Sequence, residues 1–375
     1  MNNYIPVSKP ERELSKIIDF DKKFKKELMS GRYVGGKNVA ILESSLSKFL
    51  DVKYSATMNS GTDALTLSLI ALGVGSGDEV IVPSFTYFAT AEAVLQVNAI
   101  PVFADIEKDT YCISLNSIKK LITKRTKCII PVHLYGYDSD IENIVNYAQK
   151  KGISVIEDTA QAFGSKAKNG KYLGTFGDIN AFSNFPSKTL GGIGDGGFIT
   201  TNNAELYKKI NMLKNHGQLG VYNHEIVGIN SRLDSLNAFT LNEKLKIFNI
   251  ISESRKEFTR FYLDIFEEIE YVLIPKIDTN ILLNYFTIIL PENVRDIFKS
   301  ELNKNGIEAN IYYKTPIHLQ SVMNKKNIVY KNVELENTEN LSSKVLSLPL
   351  FAFPLIRELK YLKTNIIKVL DKIEK

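Results

Sequence analysis

One lysine, Lys188, stands where an amine can do chemistry. It lies in Ala181-Phe-Ser-Asn-Phe-Pro-Ser-Lys-Thr-Leu-Gly-Gly-Ile-Gly-Asp-Gly-Gly197, between an aromatic run and a glycine-dense loop. Pro186 fixes a backbone torsion just before it. The glycines that follow let the chain turn tightly against a ligand. Lysines in such settings form Schiff bases when burial or a neighbouring cation lowers their pKa. Taken alone, the stretch reads first as a surface lysine beside a flexible loop. Residues upstream shift that balance.

An acid and an anion site lie upstream. Residues 153–158, Ile-Ser-Val-Ile-Glu-Asp, predict a buried strand that ends on two acids. A carboxylate in that place costs free energy unless it is paired. A protonated ring nitrogen is one group that would pair Asp158. Ser60-Gly-Thr-Asp63 precedes an apolar run, 64–72, in which Leu65, Leu69 and Leu72 share a helix face. Free amides around Gly61, Thr62 and Asp63 would bind an anion there; an ordinary Ser/Thr N-cap is the other reading. No Gly-Lys-Ser/Thr follows at the required spacing, so this is not a Walker loop. Tyr87 and its aromatic neighbours follow the strand at 79–83. They are placed either to cover a flat ligand or to fill a core.

These groups need elements to carry them. Apolar runs bounded by turn residues predict strands at 54–58, 79–83, 101–105, 128–133 and 153–158. Helices are predicted between them, at 64–72, 89–97, 115–123 and 141–151. Strand and helix alternating at these lengths mean right-handed crossovers and a mostly parallel sheet. In such sheets functional groups gather at the carboxyl ends of the strands. Asp158, Lys188, residues 60–63 and Tyr87 all fall at strand exits or helix entries, which points to one shared site. Helices at 9–30 and 38–50 precede this unit. A short strand at 198–201, a helix at 200–215 and a polar loop at 218–230 follow it. A long helix from 231 to 266 leads to a second part with a strand at 284–290, a helix at 294–305, a strand at 345–350 and a terminal helix. The division expected is a large domain, 1–245, and a small one, 246–375.

The totals exclude several classes. With 375 residues, a net charge of +5 and 44% hydrophobic residues, a soluble globular protein is expected. The basic residues are scattered among acids, which argues against a nucleic-acid partner. No apolar stretch is long enough for a bilayer, and the N-terminus lacks the pattern of a signal peptide. Cys112 and Cys128 have no zinc-type neighbours, so a reduced, cytosolic setting is expected. His133, His216, His224 and His318 fit no ligand spacing, so no metal is expected. His133 and His216 are expected to be buried and hydrogen-bonded.

A set of motifs in fixed order carries a resemblance. They are Tyr33-Val-Gly-Gly-Lys37, Asn59-Ser-Gly-Thr-Asp-Ala-Leu65, Gly77-Asp-Glu-Val-Ile-Val-Pro83, Pro131-Val-His-Leu-Tyr-Gly136 and Val155-Ile-Glu-Asp-Thr-Ala-Gln161. Phe185-Pro-Ser-Lys188, Gly194-Asp-Gly-Gly197, Asn215-His-Gly217 and Gly228-Ile-Asn-Ser-Arg-Leu-Asp234 continue the series. Over most of its length the chain resembles the sugar aminotransferases of the DegT/DnrJ/EryC family, within pyridoxal-phosphate fold type I. That resemblance implies an aspartate-aminotransferase-like α/β fold. Its large domain would hold a mostly parallel seven-stranded sheet, followed by a smaller C-terminal α+β domain.

The resemblance also implies roles. Lys188 looks like the lysine that holds pyridoxal 5'-phosphate and then shuttles a proton. Asp158 looks like the partner of the pyridine nitrogen, and Gln161 is similar to the residue near the ring hydroxyl. Gly61, Thr62, Asp63 and Ser183 look like the phosphate cradle, and Tyr87 occupies the stacking position. Asn230 resembles a residue that reaches the phosphate from a second subunit, so a homodimer with shared active sites is implied. Arg232, Tyr313 and His318 are the substrate-side candidates; Arg232 reads as a carboxylate partner or, preferred, a helix cap. L-Glutamate is the implied amino donor and a nucleotide-linked keto sugar the acceptor, in surface polysaccharide or glycan synthesis. Asn230-Ser-Arg-Leu-Asp234 leans toward a 3-keto sugar. A 4-keto sugar, a lyase or dehydratase on the same scaffold, and a regulatory sugar-binding protein are the alternatives. The Tyr-His pair often found in the family near Asn284-Tyr285 is missing.

Overall fold

The computed structural model describes residues 4–325, 328–331 and 334–373. The chain opens with α1 (Glu11–Leu14) and α2 (Phe20–Leu28), where one helix over 9–30 was expected. Asp19 sits between them in the left-handed region, at φ 53°, and breaks the run. Helix α3 (Lys37–Leu50) follows and buries Leu42, Leu46 and Leu50 as one stripe.

Strands and helices then alternate as β1 (Tyr54–Met58), α4 (Gly61–Ala71), β2 (Glu79–Pro83), α5 (Ala89–Gln96) and β3 (Ile100–Ala104). The series goes on with α6 (Leu115–Leu121), β4 (Thr126–Ile129), α7 (Ile141–Lys151) and β5 (Ser154–Asp158). The boundaries have local causes. Ser60 and Ser114 cap α4 and α6 through their hydroxyl oxygens. Gly152 ends α7 in the left-handed region at φ 66°. β4 stops at Ile129, short of the expected 133, and the chain runs on to a single bridge between Val132 and Asp158.

Two more strands complete the sheet, β6 (Ile179–Ser183) and β7 (Gly197–Thr201). The seven strands lie in the order β1-β7-β6-β5-β4-β2-β3. β7 runs antiparallel to both its neighbours and the remaining pairs are parallel. The architecture is the expected one, but β6 is an addition. Its first four residues are all buried, so it shows none of the alternation that marks a half-exposed strand.

Helix α8 (Ala204–Leu213), capped by Asn203, packs on α4 and β1. The loop at 218–230 holds a small hairpin, β8 (Gln218–Gly220) and β9 (Asn223–His224). The helix expected from 231 to 266 is two helices, α9 (Ser235–Lys246) and α10 (Phe248–Phe266). They part at Ile247, which leaves helical torsions at φ −107° and ψ 13°. The C-terminal part holds β10 (Phe286–Ile289), α11 (Glu292–Lys304), α12 (Glu336–Ser342), β11 (Val345–Leu348) and α13 (Ile356–Ile373). β10 and β11 pair antiparallel, and Phe258, Tyr262, Phe286, Phe298, Leu362 and Ile366 form the core around them. The same core takes in Phe85, Val132 and Tyr135, which follow β2 and β4. The small core therefore closes over the carboxyl ends of the large sheet. No helix among the described residues is long and apolar enough to cross a membrane.

Candidate active site

β5 delivers its two acids to opposite faces, as the period of two requires. Glu157 is fully buried and accepts hydrogen bonds from the amides of Gly174 (2.7 Å), Phe176 (2.6 Å) and Gly177 (2.8 Å). His133 adds a fourth contact, Nε2 to Oε2 at 2.9 Å. The Ser139 amide donates to Nδ1 of His133, which assigns the ring proton to Nε2. Asp158 faces the other way. Thr90 Oγ1 donates to its Oδ2 at 2.9 Å and the Ala160 amide to its Oδ1 at 3.2 Å. Burial pushes the Asp158 carboxyl above its ordinary pKa, against the pull of the Thr90 and Ala160 hydrogen bonds and the charge of Lys188.

The loop that carries Lys188 is pinned, not loose. Its amide donates to Phe185 O at 2.8 Å. Asn184 bonds through its amide to Gly196 O (2.8 Å) and through Nδ2 to Leu190 O (2.9 Å). Thr189 Oγ1 donates to Phe163 O at 2.9 Å. A side chain at Gly191 would put Cβ 2.3 Å from Pro186 O, so only glycine closes this turn. Among the described residues no hydrogen bond or ion pair reaches Lys188 Nζ. The amine is half-buried and free to meet a ligand.

The start of α4 carries the residues expected to form an anion site. Ser60 Oγ accepts from the Asp63 amide at 3.0 Å, and Ser60 O from the Ala64 amide at 3.1 Å. The amides of Gly61 and Thr62 find no protein acceptor among the described residues. The cap reading holds for Ser60, and two amide donors beside it are left without a protein acceptor. The end of β6 abuts this turn, because a Cβ on Gly61 would lie 3.0 Å from that of Ser183. Asp63 gives its amide to the cap and is not part of the cavity wall.

A cavity of about 600 Å³ collects these groups. Gly61, Thr62, Tyr87, Asp158, Gln161, Ser183, Lys188 and Tyr313 all line it. Gln161 is fixed at both ends, accepting from the Tyr135 amide (2.9 Å) and donating to Tyr313 OH (2.8 Å). Burial, and next the nearby Tyr285 hydroxyl, hold the pKa of Tyr313 well up, so its proton stays and faces the cavity. Tyr87 lies half over the opening, 6.2 Å from the Tyr313 ring.

Three candidates lie elsewhere in this chain. Asn230 is exposed and bridges to Asn215. Arg232 is exposed and donates to Asn215 Oδ1 at 3.1 Å; it caps no helix, since Asp234 caps α9. His318 is buried away from the cavity, with Nδ1 2.7 Å from Ser84 Oγ and Nε2 3.2 Å from Glu339 Oε1. His133 is buried as expected, but His216 is exposed, at φ 57° beside the hairpin. Thr90, Ser187, Tyr285 and Tyr312 also line the cavity, and none of them was a named site candidate in the sequence. Thr90 sits inside an ordinary helix pattern; the tyrosines come from the distant C-terminal part. Among the described residues no three His, Cys, Asp or Glu side chains are grouped to hold a metal ion.

This arrangement has counterparts. The UDP-N-acetyl-3-dehydro-alpha-D-glucosamine 3-aminotransferase of Acidithiobacillus ferrooxidans is 42% identical, covering 89% of this chain and 88% of that protein. The structure of S. venezuelae DesV in complex with a ketimine intermediate matches with a TM-score of 0.91 at 31% identity, over 97% of this chain and 98% of that one. Bacillus subtilis ntda with bound cofactor PMP matches with a TM-score of 0.89 at 30% identity, over 98% of this chain and 86% of that one. The family profile described as DegT/DnrJ/EryC1/StrS aminotransferase matches residues 16–355, through both the large sheet and the C-terminal core. Fold, cavity and profile agree, and the chain belongs to the DegT/DnrJ/EryC1/StrS aminotransferase family.

Proposed function

We propose that this chain transfers an amino group from L-glutamate to the 3-keto group of a nucleotide-linked sugar. The cofactor is pyridoxal 5'-phosphate, which when bound supplies an electrophilic aldehyde and an electron sink. The residues present fit it. Two amides without a protein acceptor suit the phosphate, a buried carboxylate suits a cationic ring nitrogen, and a free amine suits the aldehyde. Asp158 would hold the ring nitrogen protonated. Lys188 Nζ would hold the aldehyde carbon and, once displaced by an amino substrate, move a proton. Tyr313 OH, whose oxygen is already occupied by Gln161, is left to donate.

The observation that carries the reading is the convergence of Lys188, Asp158 and the Gly61 and Thr62 amides on one cavity. The 3-keto preference is supported by the 3-aminotransferase at 42% identity. An assay across 3-keto and 4-keto nucleotide sugars with L-glutamate tests it, with 2-oxoglutarate and the position of the new amine as readouts. Amine at C4 alone overturns the regiochemistry.

A homodimer is part of the proposal. Val221, Tyr222 and Val227 are 85%, 87% and 93% exposed around the hairpin that leads to Asn230. Apolar side chains so bare suit burial against a second copy. The break at Ile247 supports a division into 1–245 and 246–375. The buried free thiols of Cys112 and Cys128 fit a reducing, cytosolic setting.

A further inference from the structure

Bound pyridoxal phosphate would take up part of the catalytic cavity of about 600 Å³, which leaves the pockets beside it to receive the rest of a nucleotide sugar. Tyr312 lines both the catalytic cavity and an outer pocket of about 740 Å³. Lys314 and Lys299 line that outer pocket. Lys314 also lines a shallower pocket that adjoins Tyr87 and Tyr313. It thus lines both outer pockets that adjoin the tyrosines of the catalytic cavity.

The charge there is not balanced. Asp296 is the acid of the outer pocket, and Arg295 Nε already bonds to its Oδ1 at 3.0 Å. That hydrogen bond, with the charges of Arg295, Lys314 and Lys299, holds the Asp296 carboxyl below its ordinary pKa. Neither Lys299 nor Lys314 has an ion-pair partner among the described residues. Two cations therefore line one pocket that shares Tyr312 with the catalytic cavity. A substrate that reaches beyond Tyr312 from the catalytic cavity would meet them.

We infer that Lys314, with Lys299, binds the diphosphate of the sugar substrate, a reading that rests on the proposed use of a nucleotide-linked acceptor. This makes Lys314 a substrate-positioning residue for the second half-reaction only. L-Glutamate carries no diphosphate and does not need it.

The test uses the cofactor-loaded protein and the variants Lys314→Ala, Lys314→Arg and Lys314→Ala with Lys299→Ala. Lys314 is exposed and makes no side-chain contact with an acid, so the variants should fold. UDP and dTDP binding are measured by calorimetry, and each half-reaction by the cofactor's absorbance. Lys314→Ala should weaken nucleotide binding and raise KM for the keto sugar about tenfold, the scale of one charge-assisted hydrogen bond. The arginine variant should keep most of the affinity, and the glutamate half-reaction should not change. Binding of UDP and dTDP that is unaltered in the double variant, or absent in the unmodified protein, overturns the inference. If glutamate fails to convert the cofactor while the variants still lose nucleotide, the aminotransferase reading fails and the diphosphate site stands.

Discussion

Glu157 and Asp158 are neighbours in sequence, both buried, and serve different ends. Glu157 is saturated by three amides and His133, so it ties β5 to the loop at 174–177. Asp158 keeps a face open to the cavity, and burial disfavours its charge. Its folded pKa lies above the unfolded value of about 4. Ionising it therefore costs the cofactor-free protein stability, and that cost appears as pH rises above about 4. Asp158→Asn should melt higher than the parent without cofactor at pH about 7, with the difference closing as pH falls toward about 4. Thermal melts across that range check it, and identical melts throughout would contradict it. The same change should cut turnover by on the order of 10²-fold or more, because under the proposed function the ring nitrogen would lose its anionic partner.

At the scale of elements, the site depends on how closely β6, β7 and α4 approach. A Cβ on Gly197 would lie 2.4 Å from the Ser60 carbonyl carbon. Gly197→Ala must push the start of α4 away from β7. A loss of about 1–3 kcal/mol in urea unfolding is expected, with weaker pyridoxal phosphate binding because the Gly61 and Thr62 amides move. Unchanged cofactor affinity would mean those amides do not hold the phosphate. Much of this layout was legible beforehand. β1, β2 and β5 match their predicted bounds to within a residue, since each is an apolar run between turn residues. Lys188, Asp158 and residues 60–62 stood out because they fall at strand exits or helix entries, and they line one cavity. The break at Ile247 was hidden, because apolar spacing continues through it from α9 into α10. His318 looked like a site residue because its motif matched, yet tertiary packing turns it toward Ser84 and Glu339. Tyr285 and Tyr312 come from far along the chain, and only the closure of the small core over the sheet brings them in.

At the scale of the whole molecule, a cavity formed where two cores meet needs both to be in place. In the proposed homodimer, the exposed apolar hairpin and Asn230 would extend that dependence to a second copy. Val221→Asp with Tyr222→Asp should shift dimers to monomers in sedimentation and weaken cofactor binding about tenfold or more. Monomers that bind the cofactor as tightly as the parent would show that Asn230 does not reach across. The central claim is tested most directly by reducing the pyridoxal-phosphate-loaded protein with borohydride and mapping the labelled peptide. The account predicts one phosphopyridoxyl group, on Lys188. A label on any other lysine, or a protein that takes up no cofactor, would contradict it.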